Sequence, residues 1–245
     1  MSTVIEYHRP TTLEEALRLV SAAGGTVLAG GTVVNAGTRP TGSVLVDLQA
    51  LPLGGVDALT DGTLVVGAMT RLSELAADTH TPDWLRDLAR RELPSSLRNL
   101  ATIGGTIVAG GWESALVAAF VACDAVVTLA GADGTDDIGL AQLLSDPVGP
   151  VHGRIITSVR LDVSGTASVH STARTRADTP IVCCVARTSG AGPRVAMSGV
   201  AHTAVVVDDV EQLTPPADFR GSSEYRRHLA RVLRARALTE LGVER

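Results

Sequence analysis

Gly30-Gly31-Thr32 and Gly104-Gly105-Thr106 stand about seventy residues apart, each after a short apolar run, Val27-Leu28-Ala29 in the first case and Ala101-Thr102-Ile103 in the second. Glycine has no Cβ and tolerates φ > 0, so backbone at such a site comes close to a bulky anion, and the threonine adds a hydroxyl donor. One Gly-Gly alone is as readily a tight turn. Two of the same form point to one large ligand gripped from both sides. Neither is a nucleotide fingerprint, because Gly-x-Gly-x-x-Gly is absent and a P-loop is impossible in a chain whose basic residues are all arginine. The missing lysine also excludes Schiff-base chemistry. Cys123, Cys183 and Cys184 form no Cys-x-x-Cys pair, and the six histidines show no metal spacing, so the sequence predicts no metal centre. No side chain stands out as catalytic. Any electrons this chain carries must travel on an organic group.

The elements that position these loops are legible in part. Val4 to Tyr7 reads as a strand, and Thr12-Leu13-Glu14-Glu15 as the capping box of a helix that buries Leu13, Ala16, Leu17 and Val20 and ends at Gly24-Gly25. Thr26 to Ala29 then delivers the first glycine loop. Further strands are expected at Val44 to Asp47 and Thr63 to Ala68, with helices near Arg71 to Asp78 and from Pro82 to about Leu93. Leu97 to Ile103 returns the chain to the second loop. Ser114 to Cys123 reads as an almost wholly apolar helix, followed by strands at Ala125 to Ala130 and Ile155 to Val163 and a short helix near Leu140. After Ser164-Gly165-Thr166, strands at Val182 to Arg187, Val195 to Val200 and Ala204 to Val207 suggest a small antiparallel sheet, and a last helix spans about Ser222 to Leu241.

With 245 residues the chain buries a proper core and has room for a dinucleotide-sized ligand. Only six residues are aromatic, which argues against base stacking on single-stranded nucleic acid, and a net charge of −5 gives no field for a phosphodiester backbone. No apolar run approaches a bilayer span, and the start lacks a signal-peptide pattern. The expectation is a cytoplasmic protein with neither nucleic acid nor membrane as partner.

The order of segments resembles the FAD-binding medium subunit of molybdenum hydroxylases, the group of xanthine dehydrogenase and aerobic carbon monoxide dehydrogenase. The resemblance spans nearly the whole chain. It rests on Tyr7-His8-Arg9-Pro10 with Thr12 to Leu17, on Leu28-Ala29-Gly30-Gly31-Thr32, on Val66-Gly67-Ala68-Met69-Thr70, and most of all on Leu97-Arg98-Asn99-Leu100-Ala101-Thr102-Ile103-Gly104-Gly105 followed by Asp124-Ala125-Val126-Val127. Tyr225-Arg226-Arg227-His228-Leu229-Ala230 adds a later match.

What the resemblance implies is an α+β fold: a two-lobed FAD-binding domain of the molybdopterin dehydrogenase type over 1–164, with lobes of about 1–52 and 53–164, and a small C-terminal sheet-and-helix domain over 165–245. It implies FAD as cofactor, held by Val27, Leu28, Ala29, Gly30, Gly31, Thr32, Val33 and Val34 and by Thr102, Ile103, Gly104, Gly105 and Thr106. It also implies partner subunits carrying iron–sulfur centres and the molybdenum cofactor, and transfer of electrons to NAD, a quinone or dioxygen. The chain departs from the family pattern at Val33, usually aspartate, at Thr106, usually asparagine, at Ala115, where the family has an aspartate near the ribityl chain, and at Ser171, where it has a lysine. Gly111-Trp112 stands where the family usually has Ser-Pro, and Trp112 is read either as a flavin contact or as a packing plug. Two other readings stay open: a flavin-free scaffold of the same fold, or a stand-alone flavoenzyme with its own small substrate. The arginine-rich last helix, with Arg226, Arg227, Arg231, Arg234 and Arg236, reads as a solvated face or a dock for an acidic partner.

Overall fold

A computed structural model describes residues 4–22, 24–33, 43–109, 111–146, 149–175 and 178–243. The fold is α+β with three sheets. In the first lobe, β1 (Val4–His8), α1 (Leu13–Ala22), β2 (Thr26–Leu28) and β3 (Ser43–Asp47) form a parallel sheet in the order β1-β3-β2. Thr12 opens α1 by accepting a hydrogen bond from the Glu15 amide at 3.3 Å, and Gly24, at φ +59°, lets the chain leave it. Ala16 and Val20 of α1 pack with Val46 of β3, so the helical and strand periodicities meet in one small core. The first glycine loop consequently leaves the carboxyl end of β2, the end of a parallel sheet where ligands bind.

The second lobe is antiparallel, with β4 (Val56–Ala58), β5 (Thr63–Gly67), β6 (Val126–Gly131), β7 (Gly134–Gly139) and β8 (Ile155–Asp162) in the order β4-β5-β8-β6-β7. The sequence reading has no β4 and no β7. Both are edge strands whose exposed residues carry no apolar alternation, as Gly134-Thr135-Asp136-Asp137 illustrates, so only their neighbours define them. Helices α2 (Leu72–Ala77), α3 (Asp83–Glu92), α4 (Ser95–Arg98), α5 (Ile103–Ala109), α6 (Ala115–Ala122) and α7 (Leu140–Ser145) complete it.

The second glycine motif, expected as a loop, is the first turn of α5. Its helical start is fixed by the Thr102 hydroxyl, which accepts from the Gly105 amide at 3.2 Å, and by the Thr106 amide bonding the Thr102 carbonyl at 2.8 Å. These tertiary and capping bonds outweigh the low helix propensity of two glycines.

At the C-terminal end, β9 (Thr166–Thr172), β10 (Val182–Ser189), β11 (Gly192–Ser198) and β12 (Val205–Val206) make an antiparallel sheet in the order β12-β11-β10-β9, with α8 (Ser223–Glu240) across one face. The polar β9, Thr-Ala-Ser-Val-His-Ser-Thr, escaped the sequence reading because its register is set by pairing with β10. Strand β10 is buried on both faces. Val182, Cys184 and Ala186 pack towards α8, whereas Cys183 and Val185 join the core that contains α6. Helix α6 therefore lies in a core shared by the second lobe and the C-terminal sheet, which is why all eight of its residues are buried and its sequence is apolar all round.

Candidate functional site

The two glycine motifs come together, but they do different work. Gly30 lies so close to the segment before α5 that a Cβ there would overlap the Leu100 carbonyl oxygen. Gly31 has φ +71°, a conformation that a branched side chain resists. Among the described residues, the amides of Gly30, Gly31, Thr32 and Val33 have no hydrogen-bond acceptor. Four unspent donors on a partly exposed loop at the end of a parallel strand are free to hold an anion. Val27 contributes only backbone there, since its side chain packs in the first-lobe core, and Leu28 pairs with Asp47 in the sheet. Val34 lies outside the described residues.

The second motif has no such donors. The Ile103 amide bonds the Thr70 carbonyl at 2.9 Å, and Gly104 bonds that of Ala68 at 2.8 Å. Ile103 is fully buried, and Thr102 pairs with Arg71 in an isolated bridge. Gly104 is required by packing, because a Cβ there would stand 3.0 Å from the Ala68 Cβ. This motif lies beside the first loop, since a Cβ on Gly105 would stand 3.9 Å from that of Ala29.

The ring of Trp112 is taken up by the C-terminal part of the chain. The Arg226 guanidinium lies 4.4 Å from the centre of its ring, and Arg226 is completely buried. Expected on a solvated or docking face, Arg226 instead points under the sheet, where it donates to the carbonyls of Ile181 (2.5 Å) and Gly199 (3.3 Å) and pairs with Asp218 at 2.7 Å. Desolvation opposes the charge of Asp218, yet the hydrogen bond and charge of Arg226 together with the amides of Arg220 and Gly221 outweigh it and hold its carboxyl below the ordinary range. Arg220 closes the cluster on Glu113. The packing reading of Trp112 is the one the geometry favours. Arg227, Arg231 and Arg234 likewise bond within the chain, to the Leu213 carbonyl, Glu211 and the Asp208 carbonyl, although the Nε atoms of Arg226 and Arg234 are buried without a partner.

A cavity of about 890 Å³ lies between α3 and the start of α6 on one side and β9 with the segment after it on the other. Ala115 and Ser171, the positions at which the family resemblance puts a carboxylate and an ammonium, both line it. Sequence reasoning missed the carboxylate that does stand there. Glu92, from the end of α3, accepts from the Ser114 hydroxyl at 2.5 Å and the Leu116 amide at 3.0 Å, bracketing Ala115 and capping α6. At the other end of α6, Arg187 and Arg194 donate to the carbonyls of Ala122 and Val121. Burial raises the carboxyl of Glu92 against its hydrogen bonds. A folded-state pKa above the unfolded value means that the stability this group provides is present below its ordinary range and is lost as pH rises through the raised one. Wild type is therefore expected to lose stability relative to Glu92→Gln between those two limits; parallel pH profiles of the thermal midpoint would show the assignment to be wrong.

The three cysteines are buried, their thiols pushed up by burial, to about 12 for Cys123 and Cys184. Among the described residues no group of histidine, cysteine and carboxylate side chains is placed to hold a metal, and no helix is long and apolar enough to cross a membrane.

A parallel unit with unpaired loop amides beside an antiparallel lobe suits a nucleotide cofactor. Residues 3–162 match the family model described as the FAD binding domain in molybdopterin dehydrogenase, and the chain belongs to that family, whose cofactor is FAD. Protein YgfM of Escherichia coli (strain K12) is 30% identical over 248 residues, covering 93% of each chain. Among solved structures, the fold is similar to chains of carbon monoxide dehydrogenase from Hydrogenophaga pseudoflava (TM-score 0.84, 23% identity, 98% and 97% of the two chains) and of quinoline 2-oxidoreductase from Pseudomonas putida 86 (TM-score 0.87, 20% identity, 98% of each). The residues present fit a dinucleotide cofactor at the first loop, where glycine and unpaired amides coincide.

Proposed function

We propose that this chain is the flavin subunit of a molybdenum-hydroxylase-type oxidoreductase, relaying electrons from the iron–sulfur centres of a partner subunit to an acceptor such as NAD, a quinone or dioxygen. The observation that carries the reading is the open amide cradle of Gly30 to Val33 within a chain of this family. Those amides, with the Thr32 hydroxyl, would hold the cofactor's diphosphate, and the Leu100–Ala101 backbone ahead of α5 packs directly against the loop at Gly30. FAD, when bound, supplies both one- and two-electron redox chemistry.

The protein's part is binding, orientation and exclusion of water rather than proton transfer. Val33, Leu97, Leu100 and Val108, all exposed large apolar residues, are concentrated on the loop and on the α4–α5 segment beside it. Apolar surface gathered around a cofactor cradle suits coverage by the flavin or by a docked subunit. Heat or acid denaturation of the purified protein is expected to release intact FAD, identified by its spectrum. Protein that is colourless and takes up no FAD on titration would overturn the proposal.

A further inference from the structure

Glu92 differs from the other acids on the wall of the cleft between α3 and β9. Asp87 pairs with Arg90 at 2.7 Å, Glu113 with Arg220 and Glu240 with His170 at 2.8 Å, while Asp178 is exposed. Among the described residues no arginine or histidine pairs with Glu92, whose bonds come from neutral donors, the Ser114 hydroxyl and the amides of Ala115 and Leu116. A desolvated carboxylate held without a cation is costly. Capping α6 does not demand it, because Ser114 already accepts from the Val117 amide at 3.0 Å as the N-cap. A carboxylate has about four lone-pair sites, so three donors leave accepting capacity on a residue that lines the cleft.

The cleft also lies within reach of the first glycine loop. The backbone just ahead of α5 packs on Gly30, the seven residues of α5 rise about 10 Å, and Gly111, shortly beyond the far end of that helix, lines the cleft. A dinucleotide anchored by its diphosphate at the loop can carry one sugar chain and ring across such a span. The apolar wall, with Trp84, Leu88 and Val169, suits a planar ring.

We infer that Glu92 is a cofactor-binding residue, its carboxylate accepting a hydrogen bond from a hydroxyl of bound FAD and so fixing the cofactor's chain where it enters the cleft. The inference rests on this chain being a flavin subunit. FAD carries hydroxyl donors on its ribityl chain and on its adenosine ribose, and an acceptor-only group selects them over the anionic diphosphate. A hydrogen bond to an ionised acceptor is roughly twice as strong as one between neutral groups, more so in a cleft closed to water. The proton stays on the hydroxyl, and the contact is one of binding and orientation.

The test is calorimetric titration of the purified full chain, freed of any bound flavin, in mildly alkaline buffer that keeps the carboxylate ionised. Three ligands are compared: FAD, an analogue whose ribityl chain is replaced by an unbranched pentyl chain, and an analogue with a 2′,3′-dideoxyribose on the adenosine side. Glu92→Gln is expected to bind FAD at least about tenfold more weakly than wild type. Wild type should bind one of the two analogues at least about tenfold more weakly than FAD, which identifies the sugar that Glu92 meets, and Glu92→Gln should lose most of that discrimination. A merely structural role would instead weaken all three ligands in the same proportion. Asp87→Asn, which changes a cleft acid already paired with Arg90, should bind FAD as wild type does. Equal FAD affinity in wild type and folded Glu92→Gln, or undiminished discrimination in the variant, would overturn the inference. So would equal affinity of wild type for FAD and both analogues, a result that needs no variant. Wild type that takes up no FAD at all would sink the flavin reading and this inference with it, whereas tight FAD binding indifferent to Glu92 would sink the inference alone.

Discussion

Arg226→Ala is expected to destabilise the fold by about 3–5 kcal/mol, read as a large drop in the urea midpoint, because it removes one partner of a desolvated ionic cluster. Arg226 has no exposure, and it alone joins four parts of the molecule: the Ile181 carbonyl ahead of β10, the Gly199 carbonyl after β11, Asp218 and the face of Trp112. Alanine would leave two carbonyls without this donor, strip Asp218 of its guanidinium partner while the Arg220 and Gly221 amides remain, and open space under the indole. Lysine at this position is expected to recover only part of the loss, since the three donors of an ammonium sit on one nitrogen and cannot reach acceptors that the guanidinium meets with two separate nitrogens. Arg231→Ala provides the contrast. It breaks an exposed pair with Glu211 and should cost less than about 1 kcal/mol. Midpoints for Arg226→Ala and Arg231→Ala that fall together would show that the cluster is a passive surface feature.

Gly31→Val is expected to lower FAD affinity at least about tenfold, roughly 1.4 kcal/mol, with little change in stability. At φ +71° a β-branched residue is strained, and the loop would relax by turning its amides away from the cradle. The matched variant Gly104→Val should do the reverse. Its Cβ would stand 3.0 Å from the Ala68 Cβ and 3.2 Å from the Ala68 carbonyl oxygen inside a packed core, so the primary loss is of folding stability. Titration calorimetry beside thermal denaturation separates the two. Wild-type flavin affinity in folded Gly31→Val would reduce the first loop to an ordinary turn.

Local pattern alone determined the first lobe. A capped amphipathic helix between two β-branched runs has one compact solution, and glycines at the end of the second run announce a close approach wherever that lobe docks. The wholly apolar run after Ser114 likewise dictates a buried helix, because no other conformation hides so many side chains while bonding its own backbone. Tertiary structure decided the rest. Gly104 and Gly105 look like the first motif in sequence, yet their amides go to Ala68 and to Thr102, and the contact that settles this comes from a strand end thirty-six residues earlier. Glu92 closes a helix whose first residues lie more than twenty positions away, and no spacing rule marks it. Arg226 reads as one of several arginines on a polar stripe, and only the position of the sheet beneath α8 turns it inward. The division has one physical cause: periodicity and capping are satisfied between near neighbours and so are written locally, whereas the partner of a buried polar group is chosen by which distant segments the core brings together.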